Sequence, residues 1–420
     1  MKISPPNSLV DLPTETSSGR GPSQRAIPPL AYAVIGFFVY YGLFVFVTIT
    51  GRKLDYSAIL TVTIMKLFIF GVTVWILAYV AETNRKTLVI VGATLAVFAA
   101  ALLLWKADSS PQFVAIFGAL EAIGDAALTS GLVGFIRVET TSNDRYIGTT
   151  MWWRGGQNLG MALAFWLSAM MSAYALVVFV IRVFVLLAIG LIFGRRSIHN
   201  RSSDSVGSPN DQQSQQHLTL DKLVGSGAYA LFLLLVFGPG VFPKYDFRAT
   251  GAMNGFFAFG SVALMALLLQ AYPRVTQAAA LLRFERSASI GVTAVILLWM
   301  HSLWAFISQK SAAAEQLVGL AGAVIALFTT AIYVLGELRS GTTGRRSNQF
   351  RQILSYLALV RLGPMIALLL ILGAKWLLDH GRIGNTTALV FLELVVLAVL
   401  MVTLTGIASK WFRSLRRTHL

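Results

Sequence analysis

Long apolar segments alternate with short polar connections over most of the chain. Each segment is close to the length of about 20 residues that an α-helix needs to cross the hydrocarbon core of a bilayer. The pattern therefore predicts an all-α integral membrane protein with twelve transmembrane helices. The predicted spans are 30–50, 58–80, 87–105, 111–137, 146–170, 173–194, 223–243, 250–272, 288–307, 317–337, 353–378 and 387–409.

Polar stretches divide these spans into two sets of six. Residues 1–29 are rich in Pro, Ser and Thr and are predicted to form a flexible cytoplasmic tail. The stretch at 196–222 contains RSSDSVGSPNDQQSQQ and is typical of a flexible linker. It separates an N-terminal six-helix half at 30–195 from a C-terminal half at 223–410, and a basic tail follows at 411–420. Two halves with six spans each favour an internally duplicated transporter.

Composition and charge support a location in a membrane. Hydrophobic residues make up 56% of the chain and charged residues only 12%, whereas a soluble domain has about a quarter charged residues. The mean hydropathy is +0.70. Most of the 34 Lys and Arg residues fall on the side that holds both termini, so the positive-inside rule places both termini in the cytoplasm. Cytoplasmic loops then account for the net charge of +16, and no nucleic-acid partner is expected.

The remaining composition argues against an enzyme and against an ATP-driven pump. The chain has no cysteine, which excludes disulfides, thiol catalysis and thiolate metal sites. Its five histidines are scattered, and no glycine-rich segment has the Gly-Lys-Ser/Thr ending of a phosphate-binding loop. We therefore expect no enzymatic activity, no cofactor and no metal.

Two carboxylates lie within the apolar stretch FGALEAIGDAALTSGLVGF. Glu121 and Asp125 are four residues apart, so a helix projects both from one face. In a poorly hydrated site, two neighbouring carboxylates do not both ionise easily, and one of them can carry a coupling proton. One alternative is static pairing, in which the carboxylates neutralise a nearby Arg or Lys. Another is a location at a helix end, outside the core. The first two interpretations make the pair part of a buried charged site, because charged residues within a bilayer usually face a cavity or a partner.

Two arginines occupy equivalent depths in the two predicted halves. Arg154 lies in TMWWRGGQNLG of the fifth span, and Arg361 lies in LALVRLGPMIA of the eleventh. The planar guanidinium suits a carboxylate or phosphate, so the pair is a candidate clamp for an anionic substrate. The alternative is that Arg154 pairs with Glu121 or Asp125, and that Arg361 pairs with Glu337.

Three further residues are assigned to the candidate substrate site. Lys66 lies within the second span and either meets the substrate, bridges to a carboxylate or extends its stem toward the membrane surface. Trp153 offers a stacking surface beside Arg154. Gln157 follows in the same segment, three residues after Arg154.

The first predicted cytoplasmic loop, LAYVAETNRKTLVIVGA, resembles the loop between spans two and three in the major facilitator superfamily of secondary transporters. That loop usually reads Gly-x-x-x-Asp-Arg-x-Gly-Arg-Arg/Lys. Asn84, Arg85 and Lys86 match its last three positions, with Asn in place of Gly. Glu82 stands near the position of the family's Asp. The resemblance implies a gating role for Glu82, Arg85 and Lys86.

The segment IGDAALTSGLVGFI, at 123–136, is similar to the fourth span of many members of this superfamily. The resemblance implies that spans 1, 4, 7 and 10 line a central cavity, and that spans 3, 6, 9 and 12 lie outside it. It also implies alternating access around a site at mid-membrane. On this basis Arg182, in the sixth span, is expected to make helix–helix or lipid-interface contacts away from the cavity.

These patterns together predict a secondary active transporter of a small organic anion or zwitterion, coupled to protons. The expected partners are that small molecule, the proton and the lipid bilayer, and a monomer in a bacterial inner membrane is predicted. One alternative is an exporter of amphipathic, drug-like compounds, although the Gly-Pro signature that many such exporters carry in span five is absent. A second alternative is a non-transporting membrane partner subunit.

Overall fold

The computed structural model is all-helical over the residues it describes, with no strand among them. These residues are 27–49, 56–80, 84–105, 110–140, 143–170, 172–195, 211–243, 245, 252–271, 278–309, 312–342 and 346–418. Each predicted span overlaps one α-helix, although α7 begins at Asp211, within the stretch that was predicted as a flexible linker. The helices are α1 (Pro29–Ile49), α2 (Tyr56–Val80), α3 (Arg85–Trp105), α4 (Pro111–Glu139), α5 (Asn143–Met170), α6 (Ser172–Arg195), α7 (Asp211–Phe237), α8 (Ala252–Ala271), α9 (Ala278–Gln309), α10 (Ala312–Thr342), α11 (Arg346–Asp379) and α12 (Asn385–Thr418).

Within the described part of the chain, nine helices are long and apolar enough to cross a membrane. These are α2, α3, α4, α6, α7, α9, α10, α11 and α12. Their outer surfaces carry large apolar side chains such as Phe184, Ile290 and Ile366, which are about two thirds exposed (67%, 64% and 64%). Such a surface suits lipid tails and would be unfavourable in water. The chain is therefore a multi-pass membrane protein, while the spans predicted for α1, α5 and α8 stay predictions.

The start of α4 is set by two residues at its N-terminus. The hydroxyl of Ser110 accepts a hydrogen bond from the backbone N–H of Phe113. Pro111 occupies the first turn, where a backbone N–H has no intrahelical partner. Together they start the helix that carries Glu121 and Asp125.

The helices form two sets of six that meet along two seams. In the first set α1 packs on α5, and α4 packs on α2 and α3. In the last set α10 packs on α7, α8 and α9. The seams between the sets are α5 against α8 and α2 against α11. Any site built at these seams therefore contains side chains from both sets.

Glycines on α5 allow it to approach α1 closely. A Cβ atom on Gly156 would lie 1.9 Å from the backbone oxygen of Ala33, and one on Gly160 would lie 2.3 Å from that of Phe37. The spacing of four residues puts both glycines on one face of the helix. Small residues at this spacing are a common means of helix association in membranes. This contact holds the segment that carries Arg154 against the first helix.

We expect Gly156→Ala to destabilise the protein by about 1–3 kcal/mol, because the added methyl group overpacks the contact between α1 and α5. The measurement is thermal unfolding of the purified protein in detergent. Gly148→Ala is the matched control on the same helix, since no atom lies within 4 Å of its added Cβ. Equal unfolding temperatures for the two variants would contradict the close contact.

Candidate functional site

A cavity of about 30 Å³ lies between the two sets of helices. This volume is enough for about two water molecules. Three of the residues assigned to the site from the sequence line it, namely Lys66, Asp125 and Arg361. The other lining residues are Tyr40, Thr63, Leu67, Phe70, Ala122, Tyr229 and Leu233. The walls therefore come from α1, α2 and α4 of the first set and from α7 and α11 of the last.

The carboxylates of α4 form a buried charge cluster with two cations. Lys66 Nζ lies 2.5 Å from Glu121 Oε2. Arg182 Nη2 lies 3.2 Å from Glu121 Oε1 and 3.5 Å from Asp125 Oδ1. All four side chains are buried. Static pairing is thus present, but its partners are Lys66 and Arg182, and the alternative pairing of Arg154 with these carboxylates is wrong.

Arg182 is the member of this cluster that sequence reasoning missed. It lies on α6, which the resemblance placed away from the cavity, and yet its guanidinium reaches the carboxylates of α4. Its Nε donates to the Phe38 carbonyl at 2.9 Å, and a Cβ on Gly42 would lie only 2.1 Å from its Cζ. The absence of a side chain at Gly42 lets the long arginine pass α1. An arginine inside an apolar span needs a counter-charge, and this requirement was the available signal.

Arg154 forms a salt bridge across the seam between the two sets of helices. Its Nε and Nη2 donate to the two carboxylate oxygens of Glu337, each at 2.6 Å. Its Nη1 donates to Gln157 at 2.6 Å, and the Tyr333 ring lies 5.5 Å from its Cζ. Neither Arg154 nor Gln157 lines the cavity. The structure therefore does not bring the two candidate clamp arginines together in the cavity, and the alternative pairing of Arg361 with Glu337 is wrong.

Trp153, on α5, is fully buried inside the helix bundle. Its ring meets the ring of Tyr40 edge-on, with 6.4 Å between their centroids. Gly36 makes room for this segment, since a Cβ there would lie 2.7 Å from the Trp153 carbonyl oxygen. Trp153 therefore packs behind Tyr40, which itself lines the cavity.

Arg361 is buried in the cavity wall and forms no salt bridge with any residue that the structure describes. Its guanidinium donates a hydrogen bond to the hydroxyl of Tyr229. The rings of Tyr229, Phe70 and Tyr40 surround it at 4.7, 5.4 and 6.0 Å from Cζ to the ring centroids. Aromatic faces attract a cation but do not neutralise its charge. No described side chain therefore neutralises the guanidinium of Arg361.

The gating residues implied by the resemblance lie at the start of α3, with one exception. Arg85 places its guanidinium 5.7 Å from the centroid of the Phe350 ring, on α11. At the same end, Arg351 of α11 stacks on Tyr79 of α2 at 4.2 Å. Lys86 is half-buried in the first turn of α3. Glu82 lies outside the described residues, and the gating role of all three stays a prediction.

The described residues offer no alternative centre for metal chemistry. Among them, no three His, Asp or Glu side chains are grouped so that they could hold a metal ion.

A second charge cluster joins two carboxylates and two cations, namely Asp221, Glu285, Arg339 and Lys410. Arg339 lies 3.0 Å from Asp221 and 2.9 Å from Glu285, and Lys410 contacts both carboxylates. It ties α7, α9, α10 and α12 together.

We expect Glu337→Gln to lower stability by about 3–5 kcal/mol, because it leaves Arg154 buried without a counter-charge. The double variant Arg154→Gln with Glu337→Gln should recover most of this loss, since no charge remains at the seam. Thermal unfolding of the two single variants and the double variant forms a double-mutant cycle that isolates the pair.

Lys375→Gln is the control for this cycle. Lys375 pairs with Asp379 at 2.5 Å, and the Asp379 side chain is 41% exposed. Loss of this exposed ion pair should therefore lower the free energy of unfolding by less than about 1 kcal/mol. Additive effects of Arg154→Gln and Glu337→Gln would show that the two side chains do not interact.

Comparisons with known proteins assign no family to the chain. No protein-family model matches the chain, and no curated protein matches it. What stands without further assumption is a multi-pass, all-helical membrane protein with a charged cavity between its two sets of helices.

Proposed function

We propose that this protein is a secondary active transporter of the major facilitator type, which moves a small organic anion or zwitterion by alternating access. The observation that carries the proposal is the cavity whose wall holds Arg361, without a salt bridge to the described residues, beside Asp125. A guanidinium in a dry, aromatic site binds a carboxylate or phosphate group strongly. A charged cavity at a seam between two sets of helices is typical of the substrate site of secondary transporters.

The contacts between the two sets of helices support alternating access. At the end where α2 starts, Tyr56 donates a hydrogen bond to the carbonyl of Phe237, on α7. At the opposite end, Arg351 stacks on Tyr79. Rocking of one set against the other would break the contacts at one end and keep those at the other. In this proposal Arg85 and Lys86 stabilise the state that is closed at the start of α3.

Asp125 is the carboxylate that we assign to proton exchange. Glu121 has two close cations, Lys66 at 2.5 Å and Arg182 at 3.2 Å, whereas Asp125 has one cation at 3.5 Å. Asp125 also lines the cavity. Protonation of Asp125 therefore gives up the weakest of these ion pairs, and the cavity provides the route for the proton. Glu121 then holds Lys66 and Arg182 in place.

The test is proton movement in proteoliposomes under an imposed pH gradient. Pools of carboxylates, phosphorylated metabolites, amino acids and amphipathic drugs are added in turn. We expect a carboxylate or another anion pool to drive proton flux in the wild type. Asp125→Asn should abolish the flux while exchange of labelled substrate continues, because exchange requires no net proton transfer.

Lys375→Gln serves as the control, since Lys375 pairs with Asp379 on the outer part of α11. Unchanged substrate-driven proton flux in Asp125→Asn would rule out the assigned proton site. Flux driven by the amphipathic drugs alone would favour an exporter instead.

A further inference from the structure

The charged groups at the cavity do not balance. Lys66, Asp125 and Arg361 line it, and salt bridges add Glu121 and Arg182. Among the residues that the structure describes, three cations therefore face two carboxylates, which leaves one positive charge in a buried site. The other salt bridge at the seam between the two sets of helices, Arg154 with Glu337, is neutral in itself.

The polar groups that the described residues place around these charges do not supply the missing negative charge. The neighbouring elements contribute the hydroxyls of Tyr40 on α1, Thr63 on α2 and Tyr229 on α7. Tyr40 shares a hydrogen bond with Thr129 at 3.3 Å, and Tyr229 accepts one from Arg361. Neutral hydroxyls and aromatic faces reduce the cost of burying a cation but leave its charge uncompensated.

We propose that the cavity binds a small organic acid, and that the ligand and any proton bound with it together carry one net negative charge. This inference rests on the proposed function and specifies its substrate class. A monocarboxylate satisfies the condition alone, with its carboxylate on Arg361. A dicarboxylate satisfies it with one proton, held on Asp125 or on the ligand.

This charge balance also couples binding to closure. When the cavity closes empty, Arg361 is desolvated without a counter-charge, which is unfavourable in a membrane interior. A ligand of one negative charge removes that penalty when the two sets of helices close around it. Because a ligand shifts an equilibrium by its differential affinity for the two states, the loaded protein closes more readily than the empty one.

The test measures binding to the purified full-length protein in detergent, through the ligand dependence of thermal unfolding. The probes are acetate, butyrate and benzoate as monocarboxylates, succinate and phthalate as dicarboxylates, and butyramide as a neutral analogue. At least one monocarboxylate should stabilise the wild type, with a dissociation constant independent of pH between about pH 6 and about pH 8. Dicarboxylate affinity should fall about tenfold for each unit of rising pH, as expected for uptake of one proton. Butyramide should not stabilise it.

Two variants shift the charge balance in opposite directions. Asp125→Asn adds one positive charge, so the dicarboxylates should bind without a proton and lose their pH dependence. Arg361→Gln removes one positive charge, so the monocarboxylates should acquire the tenfold dependence. Arg361→Lys keeps the charge and should retain the wild-type pattern. Lys375→Gln, at the Asp379 ion pair, is the control for a charge removed elsewhere.

The proposal is overturned if no carboxylate stabilises the wild type, if butyramide binds as well as butyrate, or if Arg361→Gln leaves the pattern of pH dependence unchanged. These outcomes are separate from those of the transport assay. The predicted charge pattern without solute flux in vesicles would support the charged site and contradict the transporter. Flux without the pattern would support the transporter and contradict the charge balance.

Discussion

The pairing of charges in a membrane interior is the constraint on which the rest of this structure depends. A charge that is moved from water into a low-dielectric environment without a partner costs several kcal/mol. Lys66 on α2, Glu121 on α4 and Arg182 on α6 meet this constraint together. Their contacts determine which faces of these three helices turn inward. The apolar surfaces of the same helices can then face lipid.

The buried salt bridges differ in which parts of the structure they connect. The cluster around Glu121 lies within the first six helices, and the cluster around Glu285 lies within the last six. Each of them stabilises one set. Arg154 and Glu337 join the two sets, so they stabilise the contact between them. Arg361 lacks a salt bridge to the described residues, and we propose that a ligand supplies its counter-charge.

Most of the helices could be predicted from the sequence, because nine of those in the described part of the chain are long apolar runs. The polar start of α7, from Asp211, was predicted as a linker instead. The grouping of Glu121 with Asp125 also followed from their spacing on a helix. The partners could not be predicted, because they depend on which helices are neighbours and how far long side chains extend. Arg182 reaches α4 only because Gly42 has no side chain. Arg154 and Arg361 lie at equivalent depths in the two predicted halves, but they do not share a site. The reason is that Arg154 turns toward α10.

In the proposed mechanism, the two sets of helices rock about the buried charges. Distances at both ends of the bundle test this motion most directly. The chain has no cysteine, so spin labels can be placed without removing native thiols. Labels at Asn84 and Arg283 report the end where α3 and α9 start, and labels at Trp105 and Ser308 report the other end. Pulsed electron paramagnetic resonance should show one distance lengthen as the other shortens when a transported anion is added. Two distances that stay fixed, or change together in the same direction, would contradict alternating access.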